Sequence, residues 1–370
     1  MVRQRDYGSQ LENSILKSLP FYLLRQAQDG ELVETVAKGR RLLPLLRKRG
    51  VRGDFLHGDD THYYGLLIEG DSMKLESIKR VAVIGAGTMG SQIAQLFSQA
   101  GKYPVMVYDL NDELVSHGIQ SIKEDLKRYF VDKGLMTQVE MDAVVARIRG
   151  TANLPEAVEN ADFVIECVFE NLDLKRNVFR QLDEKTPPHS ILASNTSNLN
   201  ITEMASVTKR ADKVVGMHFF NPVSIGKIVE VVRGSFTSKG TIETILALSQ
   251  KLGKEPILCK DFSFGFLANR AYTPMFLETI QMVWERVAPP EDIDRALKLG
   301  YGLSIGPLEL GDLIGAWKIL AMSEEDRMRE VGPEKGHLHP LIRMMVRAGY
   351  TGGKGKKGIY DFYKEVLIAK

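Results

Sequence analysis

Four apolar residues, Val81-Ala82-Val83-Ile84, run straight into Gly85-Ala86-Gly87-Thr88-Met89-Gly90. Beyond them Ile93, Leu96 and Phe97 recur at helical spacing. The stretch predicts a buried strand, a tight turn and a helix. Gly85 lets the chain turn sharply, Gly87 lets backbone approach a pyrophosphate, and Gly90 lets helix and strand pack closely. The phosphates then sit on the helix N-terminus, where unpaired N–H groups and the dipole favour anions.

A bare G-x-G-x-x-G run also fits an ordinary glycine-rich turn. Here a second apolar run, Val105-Met106-Val107-Tyr108, ends in Asp109, at about the 20-residue distance expected of a dinucleotide fold. A carboxylate there accepts both ribose hydroxyls of an adenosine and repels a 2′-phosphate. The expected cofactor is therefore NAD rather than NADP.

Further apolar runs follow at Phe163–Val168, Ser190–Ser194, Lys213–His218, Ile228–Val232 and Glu255–Lys260, separated by helical stretches. A helical region from Asp112 to about Arg149 reads as two antiparallel helices around Gly134, with a short strand closing at Thr151-Ala152. From Gly265 the pattern turns wholly helical, as in Asn269 to Val287 and Pro290 to Leu299. The fold class is α/β: a Rossmann-type, mostly parallel doubly wound sheet followed by an all-helical C-terminal domain. A chain of 370 residues has room for two domains and an appendage. The expected division is 1–76 (helical appendage and linker), 77–264 (NAD-binding domain) and 265–370 (helical substrate and dimerisation domain).

The appendage is basic, with ten Lys/Arg against five Asp/Glu in residues 1–50. Leu32 to Leu46 suggests one or two amphipathic helices, interrupted at Pro44. The whole chain carries a net charge of only +2, so no nucleic acid or membrane partner is expected. Cys167 and Cys259 lie far apart without metal spacing, which predicts free thiols in a reducing cytoplasm. No apolar run is long enough to span a bilayer, and no signal-peptide core is seen.

His218 ends a strand and is followed by Phe219-Phe220-Asn221-Pro222, which breaks it. Ligands of such sheets collect at strand carboxyl ends. Glu230 stands amid Ile228, Val229, Val231 and Val232, where a carboxylate is costly unless paired. His218 is its natural partner: the pair would orient the ring, raise its basicity and stabilise the imidazolium. An exposed sheet edge is the alternative reading of Glu230. The polar run Ser194-Asn195-Thr196-Ser197-Asn198 follows another strand, as a helix cap or as donors near a ligand. No His, Cys or carboxylate cluster has metal-ligand spacing, so no metal is expected. Lys123 and Lys127, at i and i+4, offer one basic face for phosphates, or a plain solvated helix surface.

From about Ile78 to Tyr363 the chain resembles the L-3-hydroxyacyl-CoA dehydrogenase family. The resemblance is carried by Gly85–Gly90, Val168-Phe169-Glu170-Asn171, Ser194-Asn195-Thr196-Ser197, Gly216-Met217-His218-Phe219-Phe220-Asn221-Pro222, Val229-Glu230 and Gly265-Phe266-Leu267-Ala268-Asn269-Arg270. Ile305-Gly306-Pro307-Leu308-Glu309-Leu310 and Gly358-Ile359-Tyr360-Asp361 add to it. It implies NAD-dependent oxidation of an acyl-CoA substrate in fatty acid metabolism, with His218 as general base and Glu230 polarising it. It also implies that Ser197 and Asn269 bind the reacting oxygen. Glu170, Lys175, Asn195 and Asn221 match positions around the cofactor's ribose and nicotinamide, and Lys354 a basic position near the cofactor. Lys123 and Lys127 become candidates for the CoA phosphates. One helical domain of this kind implies a homodimer through residues 266–363. A related dehydrogenase of a sugar acid, and a non-catalytic NAD-binding protein, are the alternatives. The appendage lies outside the family pattern.

Overall fold

The computed structural model describes residues 73–261 and 264–368. The helices expected in the basic appendage lie outside the described residues. Eight short strands form one sheet: Val81–Ile84 (β1), Val105–Tyr108 (β2), Ile148–Thr151 (β3), Phe163–Glu166 (β4), Ile191–Ser194 (β5), Val214–Phe219 (β6), Ile228–Arg233 (β7) and Glu255–Lys260 (β8). Their order is β3-β2-β1-β4-β5-β6-β7-β8. The first six are parallel, in the order of a doubly wound nucleotide-binding sheet. β7 runs antiparallel to β6, and β8 is parallel to β7.

The inner strands β1, β4, β5 and β6 are buried at every position because both faces of the sheet are covered there. Along β1, Val81 and Val83 enter one core layer and Ala82 and Ile84 the other, as the two-residue period of a strand requires. The first layer is closed by Ile93 and Phe97 of helix Thr88–Gln99 (α1) and by Ile122 and Leu126 of Asp112–Leu126 (α2). The second is closed by Leu154 and Val158 of Leu154–Val158 (α4) and by Phe179 and Leu182 of Leu172–Lys185 (α5). Phe163 stacks on Phe97 with ring centroids 5.5 Å apart. Truncating such a ring to alanine costs about 3–5 kcal/mol.

The expected helical region after Asp112 is shorter and less regular than its periodicity suggests. α2 gives way to a π-helical turn at Lys127–Val131, and the helix Gln138–Ala146 (α3) begins afresh behind a Thr137–Glu140 capping box. Gly134, with φ of 67°, sits in the break. β3 begins at Ile148, inside the stretch read as helix, and ends at Thr151 rather than Ala152. Ile148 pairs with Val105 across the sheet; strand pairing decides what local periodicity does not.

The described residues fall into two compact units. One takes in residues 73–274 and 324–337, the other 275–323 and 338–368. The division between these compact units falls inside helix Ala268–Trp284 (α8), after Pro274. The first turn of α8 is tied to the sheet by hydrogen bonds described below. The second unit is all helical, with Pro290–Tyr301 (α9), Pro307–Ile314 (α10), Ala316–Met322 (α11), Pro340–Arg347 (α14) and Ile359–Phe362 (α15) around Phe276, Trp317, Leu341 and Phe362. Helices Glu324–Val331 (α12) and Pro333–Gly336 (α13) belong to the first unit. Asp312 joins three segments of the helical unit by accepting hydrogen bonds from the Trp317 indole (2.6 Å) and the Ile359 (2.6 Å) and Tyr360 (3.3 Å) backbone N–H groups. No helix among the described residues is long and apolar enough to cross a membrane.

Candidate active site

The carboxyl ends of the parallel strands carry the Gly85–Gly90 turn, Asp109 and the Ser194–Asn198 run. After β1 the chain turns at Gly85, whose φ of 106° suits glycine alone; an added Cβ would lie 2.8 Å from the Cys167 carbonyl oxygen. At Gly90 a Cβ would lie 1.8 Å from the Gly85 carbonyl oxygen, so α1 packs as close to the turn as backbone permits. At Gly87 the same Cβ would meet nothing within 4 Å. That open space lies at the N-terminal cap of α1, which carries no side-chain cap. The arrangement is a cradle for an anion.

Asp109, just past β2, is held on this turn. Its Oδ2 accepts the Ala86 N–H and its Oδ1 the Leu110 N–H, both at 2.7 Å. Each oxygen keeps a second lone pair. Asp109 therefore shapes the turn and keeps acceptor capacity on both oxygens.

On the antiparallel pair β6–β7, His218 and Glu230 stand directly opposite each other. Directly opposed residues point to the same face and come within side-chain reach. His218 Nδ1 lies 2.7 Å from Glu230 Oε2, with His218 3% and Glu230 0% exposed. A carboxylate partner fixes the tautomer, with the proton on Nδ1, and leaves the Nε2 lone pair free. Phe220 and Phe266 flank the ring at 4.5 and 5.8 Å between centroids. The other oxygen, Glu230 Oε1, accepts the Ala268 N–H (2.8 Å) and the Leu267 N–H (3.2 Å) at the start of α8. Burial alone would raise the Glu230 carboxyl; the His218 hydrogen bond and those N–H groups outweigh it and hold it below its ordinary value. The same contact sets the first turn of α8, which carries Asn269. Glu230 is thus an interior residue and not the edge residue of the alternative reading.

A second buried network lies under β4 and β5. Glu166 Oε1 accepts from Lys175 Nζ (2.7 Å) and the Val168 N–H (2.6 Å), and its Oε2 accepts from the Ser194 hydroxyl (2.7 Å). Lys175 also bonds the Val168 carbonyl oxygen (3.1 Å) and sits 3.4 Å from Glu170 Oε2. Burial works against the Lys175 ammonium, but Glu166 and Glu170 together hold its pKa above the ordinary value. Glu170 Oε1 then gathers the Thr196 hydroxyl (2.6 Å) and the Ser197 (2.9 Å) and Asn198 (3.0 Å) N–H groups. The Ser197 loop is therefore held through its backbone. Asn195 is fixed as well: its Oδ1 accepts the Phe219 N–H, next to His218 in the chain, at 2.9 Å.

Three further predicted residues are lysines on the surface of their own units. Lys123 and Lys127 are exposed, at the last turn of α2 and the first residue of the π-helical turn. Lys354 is exposed in the glycine loop of the helical unit. Lys175, by contrast, is 1% exposed, and its ammonium is committed to Glu166.

The profile of the 3-hydroxyacyl-CoA dehydrogenase NAD-binding domain matches residues 80–262, and that of the family's C-terminal domain matches residues 265–362. The chain belongs to the 3-hydroxyacyl-CoA dehydrogenase family. A Bacillus subtilis protein named "Probable 3-hydroxybutyryl-CoA dehydrogenase" is 45% identical over 285 residues, covering 77% of this chain and 98% of the relative. The human mitochondrial hydroxyacyl-coenzyme A dehydrogenase is 38% identical over 300 residues, covering 79% of this chain and 93% of that protein. Among solved structures, the (S)-3-hydroxybutyryl-CoA dehydrogenase of Ralstonia eutropha superposes with a TM-score of 0.71 at 40% identity, over 77% of this chain and 99% of that one.

This dehydrogenase is an NAD-dependent oxidoreductase. Its residues fit the cofactor: the open space at Gly87 and the lone pairs left on Asp109 suit a pyrophosphate and a ribose diol. Sequence reasoning missed Glu166, and it read Ser194 only as the start of a polar run rather than as a partner of that carboxylate. The signal for Glu166 was present, since it is a carboxylate inside the apolar run Phe163–Val168, as Glu230 is in its own run.

Proposed function

We propose that this dehydrogenase oxidises the 3-hydroxyl of an L-3-hydroxyacyl-CoA, reversibly, with His218 as the proton-transfer group. The observation that carries the reading is the buried His218–Glu230 pair, with Nδ1 on the carboxylate and Nε2 left to face a substrate. Bound NAD supplies the acceptor for the hydride that leaves C3. His218 Nε2 takes the hydroxyl proton as the carbonyl forms. Glu230 stabilises the imidazolium while the proton rests there. Ser197 and Asn269 hydrogen-bond the reacting oxygen, and Glu170 holds Ser197 by its backbone N–H. In reduction the imidazolium returns the proton, so low pH favours the hydroxyacyl product.

Glu170, Asn195 and Asn221 line the cofactor's ribose and nicotinamide end, with Lys175 acting from beneath through Glu166 and Glu170. Lys354 of the glycine loop is assigned to the cofactor, and Lys123 with Lys127 to the CoA phosphates. Relatives named for 3-hydroxybutyryl-CoA support a short acyl chain. Two unpaired thiols fit a cytoplasmic setting, and burial pushes that of Cys259 up to about 12. Leu299, Tyr301, Leu313, Ile319 and Met322, all more than half exposed on the helical unit, support a homodimer through that unit.

The test is a spectrophotometric assay with purified protein, NADH and acetoacetyl-CoA. Rapid NADH loss is expected. No loss there, with NAD reduction on a sugar acid, would replace the substrate class; NADH binding without turnover on either would leave a cofactor-binding protein. Light scattering in solution tests the dimer, with Leu313→Asp expected to give monomers.

A further inference from the structure

Gln92 lies in α1, just past the glycine turn, and reaches the loop that follows His218. Its Oε1 accepts the Val223 N–H at 2.7 Å, and its Nε2 donates to Asn221 Oδ1 at 3.1 Å. The order of these groups is forced. A peptide N–H only donates, so it fixes the oxygen of Gln92; the NH2 of Gln92 only donates, so it fixes the oxygen of Asn221. The NH2 of Asn221 is then left as a pure donor. The loop cannot shift to undo this, because Lys254 grips it from inside, donating to the Val223 and Gly226 carbonyl oxygens at 2.6 Å each. Val223 is 1% exposed, while Asn221 itself is exposed. Asn195 has the same polarity by other means, its oxygen being taken by the Phe219 N–H.

We infer that Gln92 is a positioning residue that sets Asn221 as a hydrogen-bond donor to a carbonyl acceptor on the cofactor, the nicotinamide carboxamide oxygen. The inference rests on the reading that Asn221 lines the nicotinamide end. Gln92 does for Asn221 what the backbone does for Asn195, and the two asparagines give that end of the site a donor-only rim.

The test measures binding of NADH and of ADP-ribose, which lacks the nicotinamide, to the full chain by calorimetry. The carboxylate introduced by Gln92→Glu keeps the Val223 bond but cannot donate, so Asn221 turns its NH2 inward and presents oxygen outward. Gln92→Met loses both bonds and imposes no polarity. The expected result is a roughly tenfold weaker Kd for NADH in Gln92→Glu, a smaller loss in Gln92→Met, and ADP-ribose within about twofold in both. A brace for the loop alone reverses the ranking, since Gln92→Met breaks the brace and Gln92→Glu keeps it; that ranking, or an equal loss of ADP-ribose, overturns the inference. Asn221→Ala separates the premise. Unchanged NADH binding there removes Asn221 from the cofactor and the inference with it, whereas weakened binding with a silent Gln92→Glu overturns the relay alone.

Discussion

Glu166 on β4 and Glu230 on β7 are each 0% exposed, and each accepts three hydrogen bonds. Their partners differ. Glu166 meets a lysine whose pKa its neighbours hold high, so the ammonium stays charged at neutral pH and ties together two strand ends and, through Glu170, the Ser197 loop. Glu230 meets an imidazole, a ring with one nitrogen on the carboxylate and a second nitrogen left to face a ligand. The contrast teaches that burying a carboxylate in this sheet says nothing by itself about chemistry. The partner decides whether the carboxylate completes an ion pair or stands beside a ring that can both donate and accept protons.

The contrast can be broken in four ways. His218→Gln should cost the most activity, roughly 10²–10⁴-fold in kcat, with the melting temperature little changed. Near-full turnover would remove His218 from the chemistry and leave both pairs structural. Glu166→Gln should act the other way: removing the counter-charge of a buried lysine costs on the order of 3–5 kcal/mol, read by denaturant unfolding. A variant of full stability with abolished turnover would show that Glu166 takes part in chemistry after all. Glu230→Gln should fall between, with kcat down roughly 10²-fold because the imidazole remains but loses its anionic partner. Should it unfold the chain without a separate loss in kcat, its tie to α8 would outrank its tie to His218.

The smallest effect is in the pH limits of stability. Glu230 has a folded pKa below its ordinary 4.5, so its contribution is complete above about pH 4.5 and is lost as pH falls through the lower folded value. Lys175 has a folded pKa above its ordinary 10.5, so its contribution is present below that pH and is lost as pH rises through the higher folded value. Unfolding curves of Glu230→Gln should therefore flatten on the acid side alone, and those of Lys175→Met on the alkaline side alone. Flattening of both variants on one side would contradict the assignment of the two pairs.

The readable parts of the sequence are those where local pattern and tertiary demand agree. Gly85 to Gly90 and Asp109 form one turn, and that turn is short-range in the fold. His218 and Glu230 are twelve residues apart, and a buried carboxylate needs a partner, so the pair is legible from cost alone. β3 is misplaced by periodicity because its pairing with β2 lies outside any local window. The Glu166–Lys175 pair is half legible: the carboxylate in an apolar strand is visible, but Lys175 looks like an ordinary exposed residue of a polar helix, and only the packing of α5 turns it inward. Gln92 carries no signal at all, since its partners lie about 130 residues away.

The facing of His218 and Glu230 across β6 and β7 has a consequence for engineering the connecting segment, residues 220–227. Side chains alternate along a strand, so a single inserted or deleted residue there that slipped β7 by one place would carry Glu230 to the opposite face of the sheet. A change in the length of this segment by one is therefore excluded, because the His218–Glu230 contact exists only in the present register.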